Sequence, residues 1–298
     1  MDIGIIESDR PFINEYRDLE KAIRSQGCNP VRIDMADISV RIDAGKVRPF
    51  RVNGVLGESP IELDCAVLRH IGFVRDYEQM SQKVWSVMSM EMSGTYVANN
   101  ILAWIRASDK LGALMSLSSN GITVPDTCSS ENSLAGYHAV KDYGKAVVKP
   151  LRMAAGLGVF KVDNPDVAMH VFSSFVNLSK PLYVQKFLEK RHGGDYRVIV
   201  VGGEVIGAEF RKSSSWKSNV AQGAVAKAVR PDDELREIAI KSAKALDLDF
   251  AGIDIAQTAE GYYVLEANPT VSWSTFKKVT KVDPAKHIIR HIVKMAKA

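Results

Sequence analysis

Two stretches near the end of the chain, Ala251-Gly-Ile-Asp-Ile255 and Val264-Leu-Glu-Ala-Asn268-Pro269, decide how it folds. Each is an apolar run carrying an acid where a buried strand has no use for one. Ala259-Glu-Gly261 between them is turn material, so the pair predicts a hairpin over 251–255 and 262–266. Side chains two apart on a strand share a face, which groups Glu266 with Asn268 and lets Asp254 join them from the neighbouring strand. Two carboxylates and an amide oxygen form a hard oxygen site that suits Mg²⁺ also held by phosphate oxygens. The plain alternative is a pair of acids solvated at strand ends. Acids flanked by apolar residues and followed by Asn-Pro fit it poorly.

Before this hairpin, Tyr196–Val201 and Val205–Phe210 flank Gly202-Gly203-Glu204, a second hairpin signal. Arg211 ends that hairpin beside the first one. A guanidinium there can neutralise charge on a transferred phosphoryl group, or it belongs with Lys212 and Lys217 to a solvated basic cluster. Lys217-Ser218-Asn219 lies beyond a polar loop, Ser213–Ser215. Upstream, Tyr183-Val-Gln185-Lys186-Phe187-Leu188-Glu189 reads as a strand running into a polar bend, and Asp195-Tyr-Arg197 follows it. Such a bend can present backbone groups to an adenine edge and a carboxylate to ribose hydroxyls; alone it reads as an edge strand and surface loop. Lys149-Pro-Leu-Arg152-Met-Ala-Ala-Gly156-Leu-Gly158 places a lysine at the end of a buried strand, before a loop of small residues that lets backbone N–H groups approach phosphate. It lacks the Gly-Lys-Ser/Thr ending of a Walker loop, and a strand rather than a helix follows it.

The first part of the chain alternates strand-like Ile3–Ile6, a helical pattern over Phe12–Ser25, and strands at Val31–Ile33 and Cys65–Leu68. This predicts a small open α/β domain ending near residue 105. Arg69 follows the Cys65–Leu68 strand, where it either pairs with a carboxylate in a cleft or sits on the surface. With 298 residues, 46% hydrophobic and 25% charged, the chain suits two or three packed subdomains rather than disorder. A net charge of +4, without interleaved aromatic and basic stretches, gives no case for nucleic acid. Cys28, Cys65 and Cys128 form no metal spacing and fit a reduced cytoplasmic setting. Charges in the first ten residues leave no signal peptide, and Glu91, Asn99 and Asn100 interrupt the most membrane-like stretch, Val84–Ile105.

In order and register these motifs resemble the ATP-grasp superfamily and, more narrowly, its RimK-like α-L-glutamate ligases. The resemblance runs from about residue 60 to the C-terminus. It rests on Ser108-Asp109-Lys110, Asp195-Tyr-Arg197, the Gly202–Gly203 hairpin, Arg211, Lys217-Ser-Asn219, Ala251-Gly-Ile-Asp254 and Glu266-Ala-Asn268-Pro. It implies an α/β (α+β) fold with an N-terminal domain over 1–105, a central subdomain over 106–182 and a C-terminal subdomain over 183–298. It also implies that Lys110 and Lys149 contact ATP phosphates, with Gly156 and Gly158 in the covering loop. Gln185, Lys186, Phe187 and Leu188 would line the adenine pocket, and Asp195 would lie beside the nucleotide. Asp254, Glu266 and Asn268 would hold magnesium, or manganese in its place. Arg211 would assist phosphoryl transfer, with Lys217, Ser218 and Asn219 near the phosphates or the acceptor. The implied reaction joins glutamate or a related amino acid to an acidic acceptor, a coenzyme-like molecule or a peptide C-terminus, in a homo-oligomeric (dimeric or tetrameric) enzyme. Two departures bear on the acceptor. Arg152 stands where the family often has an acid, and Trp273 puts an aromatic residue after the metal motif. A non-catalytic ATP-binding regulatory module is the competing reading, and the intact Asp254/Glu266/Asn268 set speaks against it.

Overall fold

The computed structural model describes residues 1–8, 13–54, 57–72, 74, 76–151, 158–213, 215–217 and 223–298. The N-terminal unit runs β1 (Asp2–Glu7), α1 (Ile13–Ser25), β2 (Asn29–Asp34), β3 (Ser39–Asp43), β4 (Lys46–Val52), β5 (Glu58–Pro60), β6 (Cys65–Leu68), α2 (Tyr77–Met92), β7 (Tyr96–Ala98) and α3 (Ile101–Ser108). Its main sheet is parallel, in the order β2-β1-β6-β7. Strands buried on both faces read as continuous apolar runs, which is why Ile3–Ile6 and Cys65–Leu68 are visible in sequence. The separate antiparallel sheet β3-β4-β5 is not expected from sequence. Its strands alternate charged and apolar residues on a mostly exposed ribbon, and its Ala44-Gly45 turn, at φ of 48° and 78°, is the one signal it carries. Val84–Ile105 becomes a helix–strand–helix passage, and no helix among the described residues is long and apolar enough to cross a membrane.

The central unit comprises α4 (Lys110–Ser119), β8 (Thr127–Ser130), α5 (Ser133–Tyr143), β9 (Ala146–Val148), β10 (Phe160–Val162), α6 (Pro165–Asn177) and β11 (Leu182–Lys186). Asp109 caps α4, accepting from Gly112 N at 2.7 Å, and Asn132 and Gly144 bracket α5. The antiparallel sheet runs β10-β9-β11-β8. Ala146, Val148 and Val184 face α5 and α6, packing on Val140 and Phe172. Alternation turns Val147, Tyr183 and Gln185 to the opposite face. Because β11 pairs with both β8 and β9, a boundary at 182/183 cuts this sheet; the ladder breaks only between Lys186 and Gly194. β8 begins at Thr127, past Pro125, which offers no ladder N–H.

The C-terminal unit contains β12 (Gly194–Val201), β13 (Glu204–Lys212), β14 (Val225–Val229), α7 (Asp233–Ala245), β15 (Phe250–Gln257), β16 (Tyr262–Asn268), α8 (Ser274–Thr280) and α9 (Pro284–Met295). Its sheet order is β14-β13-β12-β15-β16. Gly202 and Gly203, at φ of 58° and 78°, make the tight turn between β12 and β13. One face of this sheet is apolar along its length: Val198, Val200, Ile253, Ile255 and Val264 pack on Leu235, Ala239 and Ala243 of α7 and on Ala113 and Leu117 of α4. The other face is divided. Ile199, Val201 and Phe250 pack into the N-terminal domain with Ile3, Ile5, Val67 and the returning helix α9. Two residues further out along the same strands the apolar contacts stop, and charged side chains take their place.

Candidate active site

Those charges form a line set by strand register. Glu209 in β13 stands opposite Arg197 in β12, Arg197 opposite Asp254 in β15, and Asp254 opposite Glu266 in β16. Arg211 stands two residues beyond Glu209 and opposite Asp195. Arg197 grips Asp254 with both arms, Nη2 donating to Oδ2 at 2.7 Å and Nε to Oδ1, while Arg211 Nη2 donates to the same Oδ1 at 2.7 Å. Burial alone would push the Asp254 carboxyl up, but the two guanidiniums outweigh it and hold the group at about 2. Glu266 is half-buried at the end of this line, and Asn268 Nδ2 donates to Gly252 O at 3.3 Å. The two acids and the amide predicted from sequence do lie on neighbouring register positions.

The facing surface belongs to the central sheet. Lys149 extends past the end of β9, and its Nζ donates to Gln185 Oε1 at 2.6 Å. Gln185 is fixed in turn by Nε2 donating to Thr127 Oγ1 at 3.0 Å and Tyr183 Oη at 3.3 Å. Burial pushes the Lys149 ammonium down to about 8; Glu266 opposes that, and Lys110 and Lys190 add to it. Lys110 Nζ donates to Leu151 O at 3.3 Å, at the root of the small-residue loop. Lys190 and Asp195 pair at 2.6 Å with little exposure. A cavity of about 490 Å³ opens beside Lys149, lined also by Pro150, Leu151, Gly158, Phe175 and Tyr183. Gly158 has φ of 69°, and a Cβ there would stand 2.9 Å from Pro150 Cγ, so the loop returns to β10 through a position only glycine fills easily.

The remaining predicted residues divide. Gln185, Phe187, Leu188 and Asp195 lie along the seam between the central and C-terminal sheets, but the Lys186 ammonium turns away from Gln185 by strand alternation and pairs with Asp126 at 3.3 Å. Phe187 meets Trp216 edge-on with centroids 6.0 Å apart, and Lys161 Nζ lies 4.8 Å from the Phe187 ring and 5.5 Å from that of Trp216. Lys217 stacks on Trp216 at 5.3 Å. Arg152, Gly156, Ser218 and Asn219 lie outside the described residues. Arg69 and Trp273 need correction as substrate groups. Arg69 is 1% exposed and Trp273 0%; the guanidinium lies 4.5 Å from the indole ring and donates to Val271 O at 2.8 Å, while Trp273 Nε1 donates to Asp18 at 3.2 Å. Glu15 completes this framework by accepting from Ser272 and Ser274 hydroxyls at 2.9 and 3.0 Å. Burial lowers Arg69 to about 10 against the pull of Glu15 and Glu7. These groups join the N-terminal domain to α8, and a substrate would have to unpack that joint to touch them.

Three residues in the site have no role from sequence: Arg197, Glu209 and Trp216. Arg197 shares period two with Asp195, Glu209 is an acid inside an apolar strand, and Trp216 is an aromatic in a serine loop; each is a weak signal alone. Among the described residues no group of three or more His, Cys, Asp or Glu gathers into a metal cage. Two carboxylates and one amide oxygen, with Lys149 and Arg211 Nε nearby, instead fit a hard cation shared with phosphate oxygens. Arg211 Nε is buried and has no hydrogen-bond acceptor, as expected of a group that receives an anion.

Residues 107–292 match the RimK-like ATP-grasp domain. A probable alpha-L-glutamate ligase of Trichodesmium erythraeum is 30% identical over 298 residues, spanning 99% of this chain and 96% of its own length. A protein of the same description from Syntrophotalea carbinolica is 35% identical over 215 residues, 71% of each chain. Among solved structures, the ATP-grasp ligase PsnB, complexed with a phosphomimetic variant of its minimal precursor, Mg and ADP, superposes with a TM-score of 0.75 at 19% identity, covering 99% of this chain and 98% of its own. The macrocyclase MdnC of Microcystis aeruginosa, bound with precursor peptide MdnA, gives a TM-score of 0.73 at 16% identity, covering 99% of this chain and 100% of its own.

Proposed function

Because the chain belongs to the RimK-like ATP-grasp family and is therefore an ATP-dependent ligase, we propose that it forms an amide bond between the carboxylate of an acidic acceptor and the amino group of L-glutamate or a related amino acid. The observation that carries this reading is the register line Arg197–Asp254–Glu266 with Arg211, set opposite Lys149. One wall offers acids for a cation, the other cations for phosphate. A carboxylate acceptor attacks the γ-phosphorus of ATP, releasing ADP and leaving an acyl phosphate. The amine then attacks the acyl carbon, expelling phosphate and losing a proton. Lys149 and Lys110 take the phosphate oxygens, and Arg211 neutralises the charge that builds on the transferred group. Asp254, Glu266 and Asn268 are the residues that would hold magnesium, whose charge would screen the phosphates. The buried joint of Arg69, Trp273 and Glu15 keeps the N-terminal domain fixed against the C-terminal sheet, so the acceptor carboxylate meets a rigid wall.

Peptide precursors in PsnB and MdnC support a peptide carboxylate as the acceptor, and the glutamate ligase relatives support glutamate as the amine. Three free cysteines suit a reducing compartment such as the cytoplasm. The test is phosphate release from ATP in the presence of acidic peptides and amino acids, singly and together. Release that requires both is expected, and Glu266→Gln should reduce it roughly ten- to a hundredfold. Equal release with neither partner present, or full activity of Glu266→Gln at ordinary magnesium, overturns the assignment.

A further inference from the structure

The chemistry above leaves one buried acid without a task. Glu209 is 4% exposed, and its Oε2 accepts no hydrogen bond. It is not on the apolar side of the sheet, because its neighbour Ala208 takes that side with Val198. Glu209 therefore shares the cleft face with Arg211, and in register it is the direct partner of Arg197. Side chains directly opposite on antiparallel strands start about 5 Å apart at Cβ, well within an arginine's reach.

Arg197 thus has a carboxylate on either side, Asp254 in β15 and Glu209 in β13, and in this structure it has chosen Asp254. It leans over Gly252 to do so: a Cβ at that glycine would lie 3.1 Å from Arg197 Cδ and 3.3 Å from its Nη1. The consequence for Asp254 is that Oδ1 receives Arg197 Nε and Arg211 Nη2 while Oδ2 receives Arg197 Nη2. Oδ1 is filled by two donors and Oδ2 keeps one lone pair beside a guanidinium, so the charge of both arginines opposes a metal at Asp254 until some of it moves. Arg211 has an evident destination in the transferred phosphate. Arg197 needs one too. Glu266 and Glu209 both act on its guanidinium, and with Glu266 assigned to the metal, the acceptor left is the unused Oε2 of its other cross-strand neighbour. Burial pushes the Glu209 carboxyl up, with Arg197 and Arg211 opposing, as for an acid whose partner is close but not engaged.

We propose that Glu209 is a positioning residue, the second resting place of the Arg197 guanidinium, which sits on Asp254 without metal and crosses to Glu209 when Asp254 turns to the magnesium–nucleotide group. The inference rests on the metal assignment proposed above and goes beyond it, since it gives the metal site a built-in competitor and a built-in release.

The experiment titrates Mg²⁺ at fixed ADP in the full-length protein and follows ADP binding by calorimetry, with an EDTA arm for metal-free binding. In Glu209→Gln the Mg²⁺ midpoint should rise about tenfold or more, the usual consequence of losing a partner that orients a metal ligand, while binding in EDTA stays as in the wild type. Glu209→Asp, which keeps the charge, should recover part of the shift. In an Arg197→Gln background the competitor is gone, so adding Glu209→Gln should move the midpoint no further. The metal-free Tm of Glu209→Gln should hold or rise, because an unmatched buried charge has been removed. A lower metal-free Tm, an unchanged midpoint, or additive effects in the Arg197→Gln background overturn the proposal and leave Glu209 a structural ion. Wild-type ADP binding that ignores Mg²⁺ overturns the metal assignment itself and this proposal with it.

Discussion

The two walls of the cleft handle their charges differently. On the C-terminal wall, Asp254 is held by two guanidiniums, and the register keeps acid beside base across β13, β12 and β15, with Glu266 a second acid beside Asp254 in β16. On the central wall, Lys149 points its ammonium at the neutral amide oxygen of Gln185 and is pushed down to about 8 by burial, with Lys110 and Lys190 close by. On the first wall the Asp254 charge is neutralised by Arg197 and Arg211 before any ligand arrives, so that cluster contributes to holding the fold. The second wall keeps a desolvated cation whose hydrogen bond goes to a neutral amide, and an incoming anion would supply the direct counter-charge it lacks. The same chemical types therefore serve stability on one side and affinity on the other, and substitutions should separate the two.

The largest effect is expected on the self-neutralised wall. Asp254→Asn leaves Arg197 and Arg211 buried without their counter-charge, and breaking such a pair typically costs about 3–5 kcal/mol. Chemical denaturation of the metal-free protein measures it. The wild-type dependence on pH follows the same logic. Asp254 is lowered from an ordinary value of 3.8 to about 2, so its contribution is complete above about pH 4 and disappears as pH falls toward 2. If Asp254→Asn were as stable as the wild type, the wall would not be stabilised by its own pairing and the contrast would fail.

Arg211→Met should come next, with a larger effect on rate than on folding. A donor aimed at developing charge is worth on the order of 10²–10³ in turnover, about 3–4 kcal/mol, and Asp254 retains Arg197 in the variant. Single-turnover phosphate release at saturating ATP gives the number. A loss confined to KM would mean that Arg211 holds the ground state and does not act on the transferred group.

How much of this was legible in sequence depends on which physical signal each part leaves. Asp254, Glu266 and Asn268 are legible because acids inside apolar runs violate the strand pattern, and period two places them together. The Gly202–Gly203 turn is legible because its positive φ values call for glycine. Pairing partners leave no such mark. Arg197 is part of a recognised motif but has no role until register sets it opposite Asp254, and β11 looks like the start of the last subdomain until its ladder joins β8 and β9. Arg69 and Trp273 fail for the opposite reason. Both are residue types that suit a ligand, yet they meet each other at 4.5 Å across 200 residues of chain, a contact that no local spacing encodes.

The unmatched wall supplies the last and smallest effect. Lys149→Met removes a cation that burial already disfavours, so folding stability should change by less than about 1 kcal/mol, while nucleotide affinity falls about tenfold through the lost charge-assisted bond to phosphate. The pH dependence sharpens this. In the free protein the ammonium begins to lose its proton as pH rises through about 8, and a bound phosphate favours the charged form. Affinity should therefore be level below pH 7 and decline above 8, by up to a factor of ten per pH unit until the proton is lost from the bound state as well. Binding at pH 8.5 should take up protons, seen by calorimetry in buffers of different ionisation enthalpy. Lys149→Met should flatten the decline and abolish the uptake. Were the decline to survive in that variant, the titrating group would lie elsewhere, and the central wall would be no more dependent on an incoming anion than the wall it faces.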